Sequence, residues 1–202
     1  MDRDVGKILD LLEELKIAEN TLVMFTSDNG PHNEAGHNPE LFSPAGPLRG
    51  MKRTLTEGGI RVPTLAWWPK TIKEGSISDK AFYFGDLMAT ACEMAGTQMP
   101  KKNDSISFVP TLKNASNNQK LHKYLYWEFY ERTFRQAVIM ADWKLIRSDM
   151  DNQRLELYDL SKDIHEDENL AKIHPGIVQR MLSYMEEAHE PHPNWPTPRQ
   201  KR

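Results

Sequence analysis

Val5, Ile8, Leu9, Leu12 and Leu15 recur at helical spacing, while Asp2, Lys7, Glu13 and Glu14 fall on other sides of the same cylinder. That pattern predicts an amphipathic helix at the start of the chain. Asn20 punctuates its end, and Leu22 to Phe25 follow as a short, continuously apolar strand. Such a strand is the kind a parallel sheet covers on both faces, and a helix leading straight into it predicts an α/β layer. A domain rarely begins in the middle of that alternation, so the opening residues read as an interior piece of a larger fold.

Residues 30–48 are rich in Gly, Pro, Asn and His and predict a long loop, of the kind that is usually functional or mobile. Val62 to Trp68 predict a second apolar strand, stopped by Pro69. Asp86 is placed as the N-cap of a helix carrying Leu87, Met88, Ala91, Met94 and Ala95, closed by Gly96. The pattern changes after the polar stretch from Asn114 to Lys120. Tyr124 to Tyr130, Gln136 to Arg147 and Leu155 to Leu160 are aromatic and β-branched runs between turn-like clusters, which predicts a small antiparallel sheet. Pro175 opens a last helix with Ile177, Met181, Leu182 and Met185 on one side, and Pro191, Pro193, Pro196 and Pro198 prevent its continuation. Two domains are expected, residues 1–118 and 119–202.

Composition narrows the partners. A chain of 202 residues supplies one good-sized core, or a core with a small satellite. Its formal charge of -3 argues against nucleic acid as a ligand. No apolar run is long enough to span a bilayer, and Met1-Asp2-Arg3-Asp4 opens too acidic for a secretion signal. Cys92, the single cysteine, excludes an internal disulfide and a multi-cysteine zinc site.

The candidate chemistry is concentrated between residues 28 and 61. Asp28 and Asn29 end the first strand, where open α/β sheets place their ligands. A carboxylate and an amide oxygen are hard donors suited to calcium or magnesium. Asp-Asn-Gly is equally a turn sequence, because these residues hydrogen-bond locally and tolerate left-handed backbone. Lys52, flanked by Arg49 and Arg53, supplies a point charge for an oxyanion or simply a solvated basic loop. Glu57-Gly58-Gly59 reads as architecture, a tight turn or a close approach of backbones, with Arg61 pairing to Glu57. His32 and His37 lie in the long loop, as hydrogen-bond donors to an anion or as solvated side chains. Trp127, Glu128, Tyr130 and Arg135 suit either a sugar-binding cleft or the core of the sheet.

Three segments carry a family resemblance. Val23-Met24-Phe25-Thr26-Ser27-Asp28-Asn29-Gly30-Pro31-His32, Gly46-Pro47-Leu48-Arg49-Gly50-Met51-Lys52 and Glu57-Gly58-Gly59-Ile60-Arg61-Val62-Pro63 resemble the type I, formylglycine-dependent arylsulfatases of the alkaline-phosphatase-like superfamily. The likeness continues in family order through Asp86-Leu87-Met88-Ala89-Thr90, Asp142-Trp143-Lys144-Leu145-Ile146 and Glu156-Leu157-Tyr158-Asp159-Leu160. It implies the C-terminal part of a three-layer α/β/α core, followed by a small antiparallel-sheet subdomain with a C-terminal helix. It also implies that Asp28 and Asn29 bind calcium together with two aspartates from near the family's N-terminus, and that Lys52 contacts the sulfate. His32 becomes a catalytic candidate beside Lys52, and Arg49 and His37 become substrate contacts.

The family's nucleophile is a hydrated formylglycine made from cysteine in a Cys-x-Pro/Ser-x-Arg motif. Cys92-Glu93-Met94-Ala95-Gly96 does not fit that motif. The resemblance therefore implies a sulfatase region that supplies calcium and sulfate contacts and is inactive alone. Its expected partners are a sulfate ester, such as a sulfated carbohydrate, and a complementary N-terminal sulfatase segment. The alternatives are a non-catalytic binder of sulfated glycans or a partner chain, and a phosphonate or phosphodiester hydrolase relative. Unpaired strand edges and uncovered apolar faces predict poor solubility of the chain by itself, and half a ligand set predicts weak calcium binding.

Overall fold

The computed structural model describes residues 1–36, 38–131, 133–149 and 154–197. Its elements run α1 (Asp2–Glu14), β1 (Val23–Phe25), α2 (Pro39–Phe42), α3 (Glu57–Ile60), β2 (Leu65–Trp67), α4 (Asp86–Ala95), α5 (Val109–Leu112), β3 (Leu125–Phe129), β4 (Arg135–Met140), β5 (Trp143–Asp149), β6 (Arg154–Asp159) and α6 (Pro175–Ala188). Contacts gather them into two compact units, one of Met1–Ser27 with Pro63–His122, the other of Asp28–Val62 with Lys123–Arg202. This partition differs from a division at 118/119 drawn on composition. Leu55 belongs to the core of the C-terminal sheet, and the stretch around it goes with that sheet.

In the first unit, β1 pairs antiparallel with β2, Val23 opposite Trp67 and Phe25 opposite Leu65. The parallel pairing expected of β1 is thereby corrected. The chain leaves β1 and reverses before re-entering at β2, so the returning strand runs the other way. The Thr26 and Thr64 hydroxyls, 3.0 Å apart, close the end of the pair. Helix α1 forms where the spacing predicts it, yet no residue of it is buried. Ile8, Leu11 and Leu15 are 55%, 51% and 57% exposed while Val5, Leu9 and Leu12 are half-buried, so one side of its apolar surface is uncovered among the described residues.

Helix α4 ends as predicted, with Gly96 in left-handed backbone at φ 63° and the Thr97 N–H on the Cys92 carbonyl at 3.0 Å. Its start differs from expectation. Gly85 holds the cap position, and Asp86 is the first helical residue, fully buried. Its carboxylate turns inward and accepts the Tyr83 and Ile106 N–H groups at 3.2 and 2.8 Å, while His122 Nε2 lies 2.9 Å away. A buried carboxylate needs partners on every side, and this knot supplies them.

The second unit is built on a four-stranded antiparallel sheet in the order β3-β4-β5-β6. Alternation along its strands sends Val138, Leu145 and Leu157 to one face, where Val178, Met181, Tyr184 and Met185 of α6 cover them. Pro175 begins α6 as the sequence predicts. Ala137, Ile146 and Tyr158 point to the opposite face, which Leu55 covers, with Ile60, Trp127, Phe129 and Leu160 packed around. The sheet is thus buried on both sides, by a helix and by the loop that carries the candidate chemistry.

Candidate functional site

Three backbone hydrogen bonds assemble the candidate residues. Gly30 N–H donates to the Gly59 carbonyl at 3.0 Å, Lys52 N–H to Pro31 at 2.8 Å, and Gly58 N–H to Arg49 at 2.8 Å. They join the Asp28-Asn29 turn, the Lys52 loop and α3 within one unit. The approach is too close for side chains: a Cβ on Gly30 would lie 1.8 Å from the Gly58 oxygen, and one on Gly59 would lie 2.2 Å from that of Thr54. The architectural reading of Glu57-Gly58-Gly59 holds, and the spacing of its glycines follows from backbone contact.

Around this knot the side chains separate by task. Asp28 is exposed, and Asn29 is half-buried with its Nδ2 donating to the Gly30 carbonyl at 2.9 Å. His32 Nδ1 accepts the Glu34 N–H at 3.1 Å, which assigns the ring proton of a neutral imidazole to Nε2 and makes that nitrogen a donor. Lys52 Nζ lies 3.3 Å from Glu34 Oε2. Arg53 pairs with the other Glu34 oxygen and, through Nε, with Glu131 at 2.9 Å. Arg53 first and then Lys52 hold the Glu34 carboxyl below the usual carboxylate range. His37 lies outside the described residues.

Beneath the loop is a buried ion cluster that sequence reading passed over. Lys144 on β5 reaches Glu57 Oε1 at 2.8 Å and Glu166 Oε1 at 3.0 Å, and all three side chains are sealed from solvent. Glu166 also accepts the Glu57 N–H at 2.8 Å, fixing the first residue of α3. The predicted Arg61–Glu57 pair is present at the edge of the cluster. Burial, the largest single influence, pushes the Glu57 carboxyl up, but the charges and hydrogen bonds of Lys144 and Arg61 together outweigh it and the net shift is downward. Arg49 extends over the Tyr158 ring, 4.9 Å from its centre, donates to the Tyr158 hydroxyl at 3.1 Å, and lies 3.6 Å from Glu156. In this structure it fastens the loop to the sheet. One signal could have revealed Lys144: β5 alternates apolar residues to both faces, and a lysine in such a strand must be paired.

The aromatic candidates divide. Trp127 packs in the core facing Leu55, while Glu128 on the opposite side accepts the Tyr126 and Tyr130 hydroxyls at 2.7 and 3.1 Å and lies 2.8 Å from His189 Nδ1. The Arg135 guanidinium sits over the Phe129 ring at 4.9 Å.

Asp28 and Asn29 offer a carboxylate and an amide oxygen, the donor types calcium takes. They fit that ion in kind and supply part of its usual six to eight oxygens. Among the described residues no group of three or more His, Cys, Asp or Glu forms a metal cluster.

Comparison with known proteins gives these residues a context. The family model for the C-terminal part of N-sulphoglucosamine sulphohydrolase matches residues 51–190, and the sulfatase model matches residues 1–97. Human N-acetylgalactosamine-6-sulfatase is 40% identical over 114 residues, which covers 55% of the chain and 22% of the relative. N-acetylgalactosamine-6-O-sulfatase of Bacteroides thetaiotaomicron is 28% identical over 207 residues, covering 92% and 40%. The crystal structure of Ps i-CgsB superposes with a TM-score of 0.78 at 28% identity, covering 92% of the chain and 40% of that structure. A structure solved with its substrate D-glucosamine-2-N,6-O-disulfate gives 0.73 at 25% identity, covering 92% and 37%. The chain spans less than half the length of each of these relatives.

Proposed function

Since the chain belongs to the sulfatase family, we propose that it supplies the calcium- and sulfate-binding loops of a sulfuric ester hydrolase acting on a sulfated carbohydrate. The observation that carries this reading is the backbone lacing of Lys52 to Pro31 and of Gly30 to Gly59. It ties the backbone beside a pair of hard oxygen donors to that of a residue carrying an ammonium group.

In this reading Asp28 and Asn29 hold calcium, which when bound polarises the sulfate oxygens. Lys52 donates to a sulfate oxygen and offsets charge as it gathers on the transferring group. His32, protonated on Nε2, is a donor to the ester or leaving oxygen. The sugar specificity is drawn from relatives: N-acetylgalactosamine 6-sulfate is named for two of them, and a sulfated glucosamine was bound in a third.

The single cysteine, Cys92, lies in Cys92-Glu93-Met94-Ala95-Gly96, so the attacking group belongs on another segment. The uncovered apolar face of α1 and the groove it forms with β1 and β2, lined by Val5, Leu9, Phe25 and Trp67, is where such a complementary sulfatase segment would pack. By itself the chain is expected to bind a sulfated sugar and not to turn it over.

Titrating the chain with N-acetylgalactosamine 6-sulfate in the presence of calcium tests the reading. Saturable binding that Lys52→Ala weakens at least tenfold is the expected result. Binding unchanged in Lys52→Ala removes the sulfate assignment, and hydrolysis by the lone chain removes the placement of the nucleophile elsewhere.

A further inference from the structure

We propose that Glu34 is a specificity-determining residue: together with Glu131 it offsets the charges of Lys52 and Arg53, and so matches the anion site to singly charged sulfate esters and against doubly charged phosphate monoesters. The inference rests on the reading of Lys52 as the sulfate contact.

Glu34 places one carboxylate oxygen on Lys52 and the other on Arg53, and Glu131 takes the Nε of Arg53. Two cations and two carboxylates therefore meet in one chain of ion pairs, and their formal charges cancel. Glu34 stays ionised at neutral pH, because Arg53 and Lys52 both favour its charged form. An ammonium has three N–H donors, and the Glu34 contact at 3.3 Å uses one of them. Lys52 thus retains donors for an incoming oxygen while its charge is offset by Glu34.

Sulfate and phosphate esters share tetrahedral shape and oxygen acceptors, so hydrogen bonds alone separate them poorly. Charge separates them. A sulfate monoester carries one negative charge, whereas a phosphate monoester, with its second pKa about 6, carries close to two at pH 8. A site with surplus positive charge favours the dianion, and a balanced one removes that advantage.

The test is titration of the full chain and its Glu34→Gln variant with N-acetylgalactosamine 6-sulfate and N-acetylgalactosamine 6-phosphate at pH 8 and low salt. Glu34→Gln keeps the side chain's shape and leaves one surplus positive charge, which phosphate feels about twice as strongly as sulfate. The ratio of phosphate to sulfate affinity should rise roughly 5- to 10-fold, the scale of a partly exposed charge interaction. It should fall back toward the native value in 0.5 M salt. Glu131→Gln should shift the ratio in the same direction by less.

A ratio within twofold of native in both variants, or equal weakening of both sugars, overturns the inference and leaves Glu34 as a support for Lys52. Lys52→Ala separates the two readings. If it weakens both sugars while Glu34→Gln leaves the ratio alone, only the Glu34 assignment fails. If the native chain binds neither sugar, or Lys52→Ala changes nothing, the sulfate site itself fails and Glu34 with it.

Discussion

Lys144 Nζ lies 2.8 Å from Glu57 Oε1, and neither side chain reaches solvent. This contact ties β5 to the first residue of α3, and α3 is bonded in turn to the loop that carries Lys52. Removing one member of a buried pair leaves an uncompensated charge, which costs about 3–5 kcal/mol. Lys144→Met should therefore lower the thermal midpoint by roughly 10 °C for a chain of this size. A shift of only a degree or two, measured by circular dichroism, would show that the cluster relaxes around the loss.

The same cluster sets an acid limit. The folded-state pKa of Glu57 lies below its ordinary value of 4.5. Its ionised form therefore stabilises the fold above that value, and the contribution is lost as pH falls through the lowered folded pKa. Urea midpoints should stay nearly level from pH 7 to pH 5 and then decline below about 4.5. Glu57→Gln should flatten that decline while lowering stability at pH 7. An unchanged acid slope in the variant would exclude Glu57 as a contributor.

Gly30→Ala should break the frame without touching a charged group. The new Cβ would lie 1.8 Å from the Gly58 carbonyl oxygen, which is backbone and can move only by opening the Gly30–Gly59 bond. The expected cost is about 1–3 kcal/mol, as for other overpacked sites. Sulfated-sugar binding should weaken alongside it, because Asp28 and Lys52 lose their common anchor. Gly176→Ala serves as the control: no atom lies within 4 Å of its added Cβ, and its backbone is not in the left-handed region, so no strain is added there.

Calcium should bind this chain weakly, near the millimolar range of open oxygen sites, because Asp28 and Asn29 provide part of a coordination shell. Asp28→Ala should abolish the calcium-dependent rise in thermal midpoint. Micromolar affinity in calorimetry, lost in Asp28→Ala, would mean that further ligands in this chain complete the site.

The open face of α1 should bind hydrophobic dyes and limit solubility. Leu11→Lys with Leu15→Lys should reduce dye binding and raise the soluble fraction, since both positions are more than half exposed. Equal dye binding in the double variant would locate the sticky surface elsewhere.

The helices α1, α4 and α6 and the antiparallel sheet could be read from the sequence because each rests on local periodicity and punctuation, such as Pro175 at the start of α6 and Gly96 after α4. The Arg61–Glu57 pair was legible too, because the two residues stand four apart across an expected turn. The direction of β1 against β2 was not, since periodicity carries no information on pairing. Asp86 looked like a cap because aspartate before a helix usually is one. Only the packing of Ile106 and His122 against it turned its carboxylate inward.

The site divides along the same line. Residue order alone establishes which groups are present: two hard oxygen donors at a strand end, a lysine after an arginine and a glycine, and a glycine pair that admits close backbones. Tertiary structure decided what those groups do to one another. Glu34 meets Lys52 across 18 residues, Glu57 meets Lys144 across 87, and Arg49 meets Tyr158 across 109. The last two depend on which surfaces the sheet buries, and burial is a property of the folded chain. Residue types carry charge and donors, but only packing chooses their partners.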